Sequence, residues 1–178
     1  MHRQRRVNSR KGKTLGILGY GRIGRAVARR AEGFGMRVLF TSRGGGVPFD
    51  ELLQESDVLS IHCPSTPQTR RLIGAAALLR MKRGALLINT ARGPIVDEAA
   101  LVAALESGHL GGAALDVFEN EPEVHPGLLP RDDVVIVPHL GSATVETRQA
   151  MARVALSQVE LVLRGERPTH SVNEVKEP

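Results

Sequence analysis

Three short segments of this 178-residue chain carry groups able to hold anions or move protons. Asn89-Thr90-Ala91-Arg92-Gly93 offers a guanidinium. Asp116-Val117-Phe118-Glu119-Asn120-Glu121-Pro122 offers carboxylates. Pro138-His139-Leu140-Gly141-Ser142-Ala143-Thr144 offers an imidazole. Each segment follows a short aliphatic run. If the runs are neighbouring strands, Arg92, Glu121 and His139 leave one edge of a sheet and can converge on one ligand.

A fourth segment suggests what that ligand is. Gly19-Tyr20-Gly21-Arg22-Ile23-Gly24 fits the G-x-G-x-x-G fingerprint of a dinucleotide site, and it lies between an aliphatic run and a helical pattern, the context the motif needs. Gly19 permits the tight turn, Gly21 lets a pyrophosphate approach the backbone, and Gly24 lets the helix pack on the sheet. Arg22 and Ile23 open that helix, whose N–H groups and dipole favour phosphate. An NAD site places an acid at the end of the second strand, for the ribose 2′-hydroxyl. Here Thr41-Ser42-Arg43 stands instead. Ser42 does not repel a 2′-phosphate and Arg43 can grip one, so NADP is expected over NAD. Arg43 pointing to solvent, or stacking on adenine, is the alternative.

The elements that must position these groups alternate. Strands are expected at Thr14–Leu18, Met36–Thr41, Asp57–Ile61, Ala85–Asn89, Ala113–Val117 and Val134–Val137. Helices are expected at Arg22–Gly35, Phe49–Glu55, Ala75–Arg80, Asp97–Glu106 and Thr144–Arg164, with Asp97 and Thr144 as N-caps. Gly44, Gly45 and Gly46 read as a flexible loop. This rhythm predicts an α/β protein, a Rossmann-type doubly wound parallel sheet with helices on both faces. Ligands on such sheets bind beyond the carboxyl ends of the strands.

Together these motifs resemble the cofactor domain of the D-isomer-specific 2-hydroxyacid dehydrogenases, from Gly12 to about Asn173. The Thr41-Ser42-Arg43 strand end and the stretch from Gly141 to Arg148 are most similar to the glyoxylate/hydroxypyruvate reductase branch. The resemblance implies hydride transfer between NAD(P)H and a small 2-oxo acid. It makes His139 the proton donor to the substrate oxygen, imidazole being the side chain best suited to exchange protons near neutral pH. Glu121 would orient and charge that ring. Arg92 would hold the substrate carboxylate. Asp116 would anchor the nicotinamide amide. Cys63, Thr90, Ala91, Arg92, His139, Leu140, Gly141 and Ser142 match positions lining the cofactor. Members of the family carry a substrate domain ahead of the cofactor domain, and most of it is absent here. That implies a fragment or a shortened product, able to bind cofactor and slow in turnover. A non-catalytic dinucleotide-sensing module of corepressor type is the competing reading, and the Arg92, Glu121 and His139 set weighs against it.

Composition narrows the rest. The net charge of +5 comes from residues 1–13, which hold six basic residues; the remainder has 18 basic against 19 acidic, a net of −1. The chain therefore reads as a basic, solvated tail (1–13), a dinucleotide-binding domain (14–142) and a returning C-terminal helix and tail (143–178). Aromatics at 3%, with no Trp, leave too few stacking platforms for single-stranded nucleic acid. No apolar run is long enough to span a bilayer. One cysteine excludes a disulfide framework, no cluster has metal-ligand spacing, and a reducing cytoplasmic setting is expected. Cys63 reads as a small hydrophobe and His62 as structural. His109, His125 and His170 are expected to face solvent. Ala143, Met151, Val154, Ala155, Val159 and Val162 form an apolar stripe on the last helix, which points to a homodimer.

Overall fold

The computed structural model describes residues 11–171, so residues 1–10 of the basic tail and the end of the chain from 172, Asn173 included, lie outside the described residues. The chain divides into two compact units, one running to Pro138 and one from His139.

The first unit contains β1 (Thr14–Leu18), α1 (Arg22–Gly33), β2 (Arg37–Ser42), β3 (Gly45–Gly46), α2 (Phe49–Glu55), β4 (Val58–Ile61), α3 (Ala75–Arg80), β5 (Leu86–Asn89), α4 (Glu98–Glu106), β6 (Gly112–Leu115) and β7 (Val134–Ile136). The strands form one sheet in the order β3-β2-β1-β4-β5-β6-β7. All pairings are parallel except β2 with β3. The expected Rossmann-type sheet is therefore observed. Its order reverses between β1 and β4, the place where such sheets open a ligand crevice.

Period-two alternation along β1 separates two cores. Leu15 and Ile17 pack with Ala28 and Ala31 of α1, while Leu18 joins a larger aliphatic cluster with α2, α3 and α4. Gly16 faces α2, where a Cβ would be driven into Ser56 Oγ. Phe118 is the one aromatic among the buried core residues described, so the core is aliphatic as the composition requires.

Two expectations need correction. Gly44–Gly46 is not simply a loop, because Gly45 and Gly46 form an edge strand antiparallel to β2. Both take positive φ (128° and 108°), which glycine adopts without steric cost. Val47 N donates to Phe40 O at 2.9 Å, and Thr41 Oγ1 donates to Val47 O at 2.5 Å. His109 does not face solvent. It is half-buried, with Nε2 at 3.0 Å from Leu78 O and 3.1 Å from Met81 O. Carbonyls only accept, so Nε2 carries the proton and clasps the end of α3. His125 is also half-buried, its Nδ1 accepting from Gly127 N at 3.1 Å.

The second unit is built on α5 (Val145–Leu163). Thr144 caps it, accepting from Thr147 N at 3.2 Å. Gly165 (φ 75°) ends it. No residue of α5 is buried, and Met151, Val154, Leu156, Val159 and Val162 are all exposed. No helix among the described residues is long and apolar enough to cross a membrane.

Candidate functional site

The glycine turn is held on both sides. Gly19 N donates to Thr41 O at 2.9 Å, and His62 N donates to Leu18 O at 2.7 Å. Gly19 has φ 99°, and a Cβ there would enter the backbone of His62 and Cys63; one on Gly24 would meet the Gly19 carbonyl. Gly21 differs, since a Cβ on it would meet nothing within 4 Å. Packing therefore accounts for Gly19 and Gly24, and open space is left in front of Gly21. Gly21 is also the N-cap of α1 and supplies no side-chain cap, and the first turn carries no acid. The N–H groups of Arg22 and Ile23 stand at a helix end fit for phosphate.

Two cavities lie along the carboxyl ends of the strands. The larger, about 790 Å³, runs from Gly19, Gly21 and Arg25 past Ser42 and Arg43 to His62 and Cys63. The smaller, about 410 Å³, continues from His62 and Cys63 to Ile23, Thr90, Ala91 and Arg92. Their common wall makes one groove crossing β2, β1, β4 and β5, on the scale of a cofactor site. Of the residues expected to bind cofactor, Gly19, Gly21, Ser42, Arg43 and Cys63 line the larger part, and Ile23, Cys63, Thr90, Ala91 and Arg92 the smaller. Ser42 Oγ donates to Gly45 O at 3.0 Å, so β3 fixes the turn that presents Arg43. Tyr20 stacks on Phe40 with centroids 3.8 Å apart, and Arg25 lies 5.2 Å over the Tyr20 ring.

The Arg92 turn is built by a buried amide. Asn89 accepts from Ala91 N at 3.1 Å and donates to Arg92 O at 3.0 Å. Arg92 itself is exposed, and its Nη1 donates to Ala91 O at 2.6 Å. Gly93 has no room for a side chain, because a Cβ would strike the Phe118 carbonyl. The turn is thereby packed on the segment after β6, where Asp116 N donates to Asn89 O at 3.0 Å and Asp116 is buried. Glu121 is exposed, and its Oε1 accepts from Phe118 N at 3.1 Å.

Sequence reasoning missed the groups that hold this segment. Glu98 is buried and accepts from Glu119 N at 2.6 Å and His125 N at 3.2 Å, bracketing Glu121 in the chain. Arg71, at φ 47°, reaches Glu119 at 2.7 Å and Asp97 at 3.8 Å. It also missed His62, which lines both cavities. No signal in the sequence marks these roles, since each depends on partners distant in the chain or on the shape of the groove.

His139, Leu140, Gly141 and Ser142 open the second unit. His139 is exposed at φ 54°, a left-handed conformation sparsely populated by residues other than glycine. Ala143 N donates to Leu140 O at 2.9 Å, and Arg148 Nε donates to Ser142 O at 3.0 Å. Costs of this kind, about 1–3 kcal/mol, concentrate at functional positions. No group of three or more His, Cys, Asp or Glu able to hold a metal occurs among the described residues.

Residues 1–141 match the family model of the D-isomer specific 2-hydroxyacid dehydrogenase, NAD binding domain. Among curated relatives, a glyoxylate reductase from Thermococcus litoralis is 46% identical over 174 residues, covering 92% of this chain and 53% of that one. Among solved structures, the TT0316 protein from Thermus thermophilus has a TM-score of 0.87 at 48% identity, covering 93% of this chain and 55% of that one. The NAD-complexed D-isomer specific 2-hydroxyacid dehydrogenase from Lactobacillus delbrueckii ssp. bulgaricus has a TM-score of 0.87 at 32% identity, covering 93% and 58%. The chain spans about half the length of the curated relatives it matches.

Proposed function

The chain belongs to the D-isomer specific 2-hydroxyacid dehydrogenase family through its NAD binding domain, and on that premise we propose that it is the cofactor half of an NADPH-preferring reductase of small 2-oxo acids, glyoxylate or hydroxypyruvate. The observation that carries the reading is the groove itself. It is open in front of Gly21, it bears Arg43 where an NAD site places an acid, and it ends at Arg92. The relatives named glyoxylate reductase support the substrate class.

Bound at this groove, the cofactor supplies or accepts a hydride. The chain's own residues do the rest. Gly21, Arg22, Ile23 and Gly24 bind the diphosphate by backbone N–H groups. Ser42 leaves room for a 2′-phosphate and Arg43 meets it with a charge-assisted bond. Cys63, Thr90 and Ala91 form the wall beside the nicotinamide, and Asp116 anchors its amide. Arg92 holds the substrate carboxylate through its planar fork. By the family's motifs, His139 would give the proton to the substrate oxygen in reduction and take it back in oxidation, and Glu121 would orient its ring. The same motifs assign Leu140, Gly141 and Ser142 to the cofactor's surroundings. The parts given to Asp116, Glu121 and residues 139–142 rest on their motifs.

The test is reduction of glyoxylate and hydroxypyruvate with NADPH. Turnover is expected to be slow wherever Arg92 alone orients the substrate, since orientation can supply about 7–11 kcal/mol of barrier lowering. In a full-length context, His139→Ala should lower the rate about 10²–10⁴-fold with the NADPH dissociation constant nearly unchanged. An unchanged rate, or parallel loss of cofactor binding, would overturn the role of His139.

A further inference from the structure

His62 occupies the wall shared by the two cavities, at the end of β4. Its ring is held from behind. Ser60, two residues earlier on the same face of the strand and buried, places Oγ 2.8 Å from Nε2. A hydroxyl can donate to a neutral ring nitrogen or accept from a protonated one. The ring can therefore change charge without losing its anchor.

The charged and titratable groups sharing that wall come from every strand end around it. Tyr20 follows β1, Arg25 lies on α1, Arg43 on the turn between β2 and β3, Arg92 after β5, and the Cys63 thiol beside His62. Among the described residues, no carboxylate lines either cavity. A protonated His62 thus shares the wall with three guanidiniums until an anionic ligand arrives. Burial already disfavours its charged form, pulling the imidazole below its ordinary value of 6.5.

We infer that His62 is a proton-linked contact for the dinucleotide's diphosphate, so that the chain binds cofactor more tightly as the pH falls below neutrality. This rests on the reading of the groove as a dinucleotide site. By linkage, whatever the diphosphate adds to the proton affinity of His62, the proton adds to the affinity for the diphosphate.

The probe is NAD⁺, whose diphosphate keeps its charge across this range; the 2′-phosphate of NADP⁺ does not, since such groups titrate near about 6. Calorimetric titration of the full chain is expected to give a dissociation constant about three- to sevenfold lower at about pH 5.5 than at about pH 8, because a tenfold rise in His62 proton affinity shows in full only well below the midpoint of the free chain. His62→Asn, which keeps a polar side chain for Ser60 without titrating, should flatten the profile. In the unaltered chain, NAD⁺ should raise the midpoint of the His62 ring in an NMR titration, a reading that stands even where the variant folds poorly. Binding with the same affinity at both pH values, or an unmoved midpoint, overturns the role of His62 and leaves the dinucleotide site standing. Absence of NAD⁺ binding at every pH removes the site, and this inference with it.

Discussion

Helices α4 and α5 begin alike and end in different circumstances. Each has a side-chain cap, Asp97 accepting from Ala100 N at 3.0 Å and Thr144 from Thr147 N at 3.2 Å. Each is rich in aliphatic residues. Yet α4 buries Leu101, Val102, Ala104 and Leu105 in the first unit, whereas no residue of α5 is buried. Capping and propensity decide where a helix starts, and burial decides how much stability it contributes. The first unit has a sheet to cover its apolar faces. The second unit is a helix and its flanks.

The sharpest way to test that contrast is to remove matched side chains. Leu59 is wholly buried in β4, and Leu59→Ala should destabilise the chain by about 2–5 kcal/mol in urea unfolding. Leu156, 67% exposed on α5, should tolerate Leu156→Ala within about 0.5 kcal/mol. Equal losses would mean that α5 is covered in solution.

A covered α5 is itself an expected outcome at high concentration. Its apolar stripe, with Met151, Val154, Val159 and Val162 exposed, should draw chains together. Sedimentation equilibrium should show a heavier species growing with concentration, and Val154→Lys should suppress it. A chain that sediments as a monomer throughout, with or without the substitution, contradicts a homodimer formed through this helix.

Acid should act on the first unit in two steps. Burial opposes ionisation of Asp57, but its bond from Thr14 N and the charges of Lys82 and Lys13 win, holding its carboxyl below the ordinary 3.8. Its contribution is therefore present above pH 3.8 and lost as the pH falls through its lower folded value. His62 runs on a different window. Its folded proton affinity is depressed by burial, so the unfolded chain takes up the proton first and stability declines as the pH drops below 6.5. Thermal denaturation against pH should show the upper step vanish in His62→Asn and the lower in Asp57→Asn. Steps that persist in both variants would assign them to other groups.

Much of the fold was readable because its signals are local. The glycine fingerprint, both caps and the aliphatic strand runs need only neighbouring residues to be recognised, and they place the groove at the carboxyl ends of the strands. Other features escaped because they are set by distant partners. Arg71 meets Glu119 across 48 residues, and Glu98 holds backbone 21 and 27 residues away. The edge strand at Gly45–Gly46 was hidden for another reason, since three glycines carry no alternation to read. Within the candidate site, Gly21 is marked by the glycine fingerprint and Arg43 by standing where an NAD site places an acid. Nothing local marks His62, because a lone histidine after a strand is ordinarily structural, and its place on the groove wall is a property of the assembled sheet.

This groove is proposed to take a dinucleotide and to prefer the 2′-phosphorylated one. Titrating the chain with NADPH and NADH at neutral pH measures it directly. A charge-assisted bond from Arg43, worth about 1.5–3 kcal/mol, predicts NADPH binding roughly 10–150-fold more tightly than NADH, with the preference lost in Arg43→Ala. Equal affinity for the two cofactors, or a preference untouched by Arg43→Ala, would contradict it.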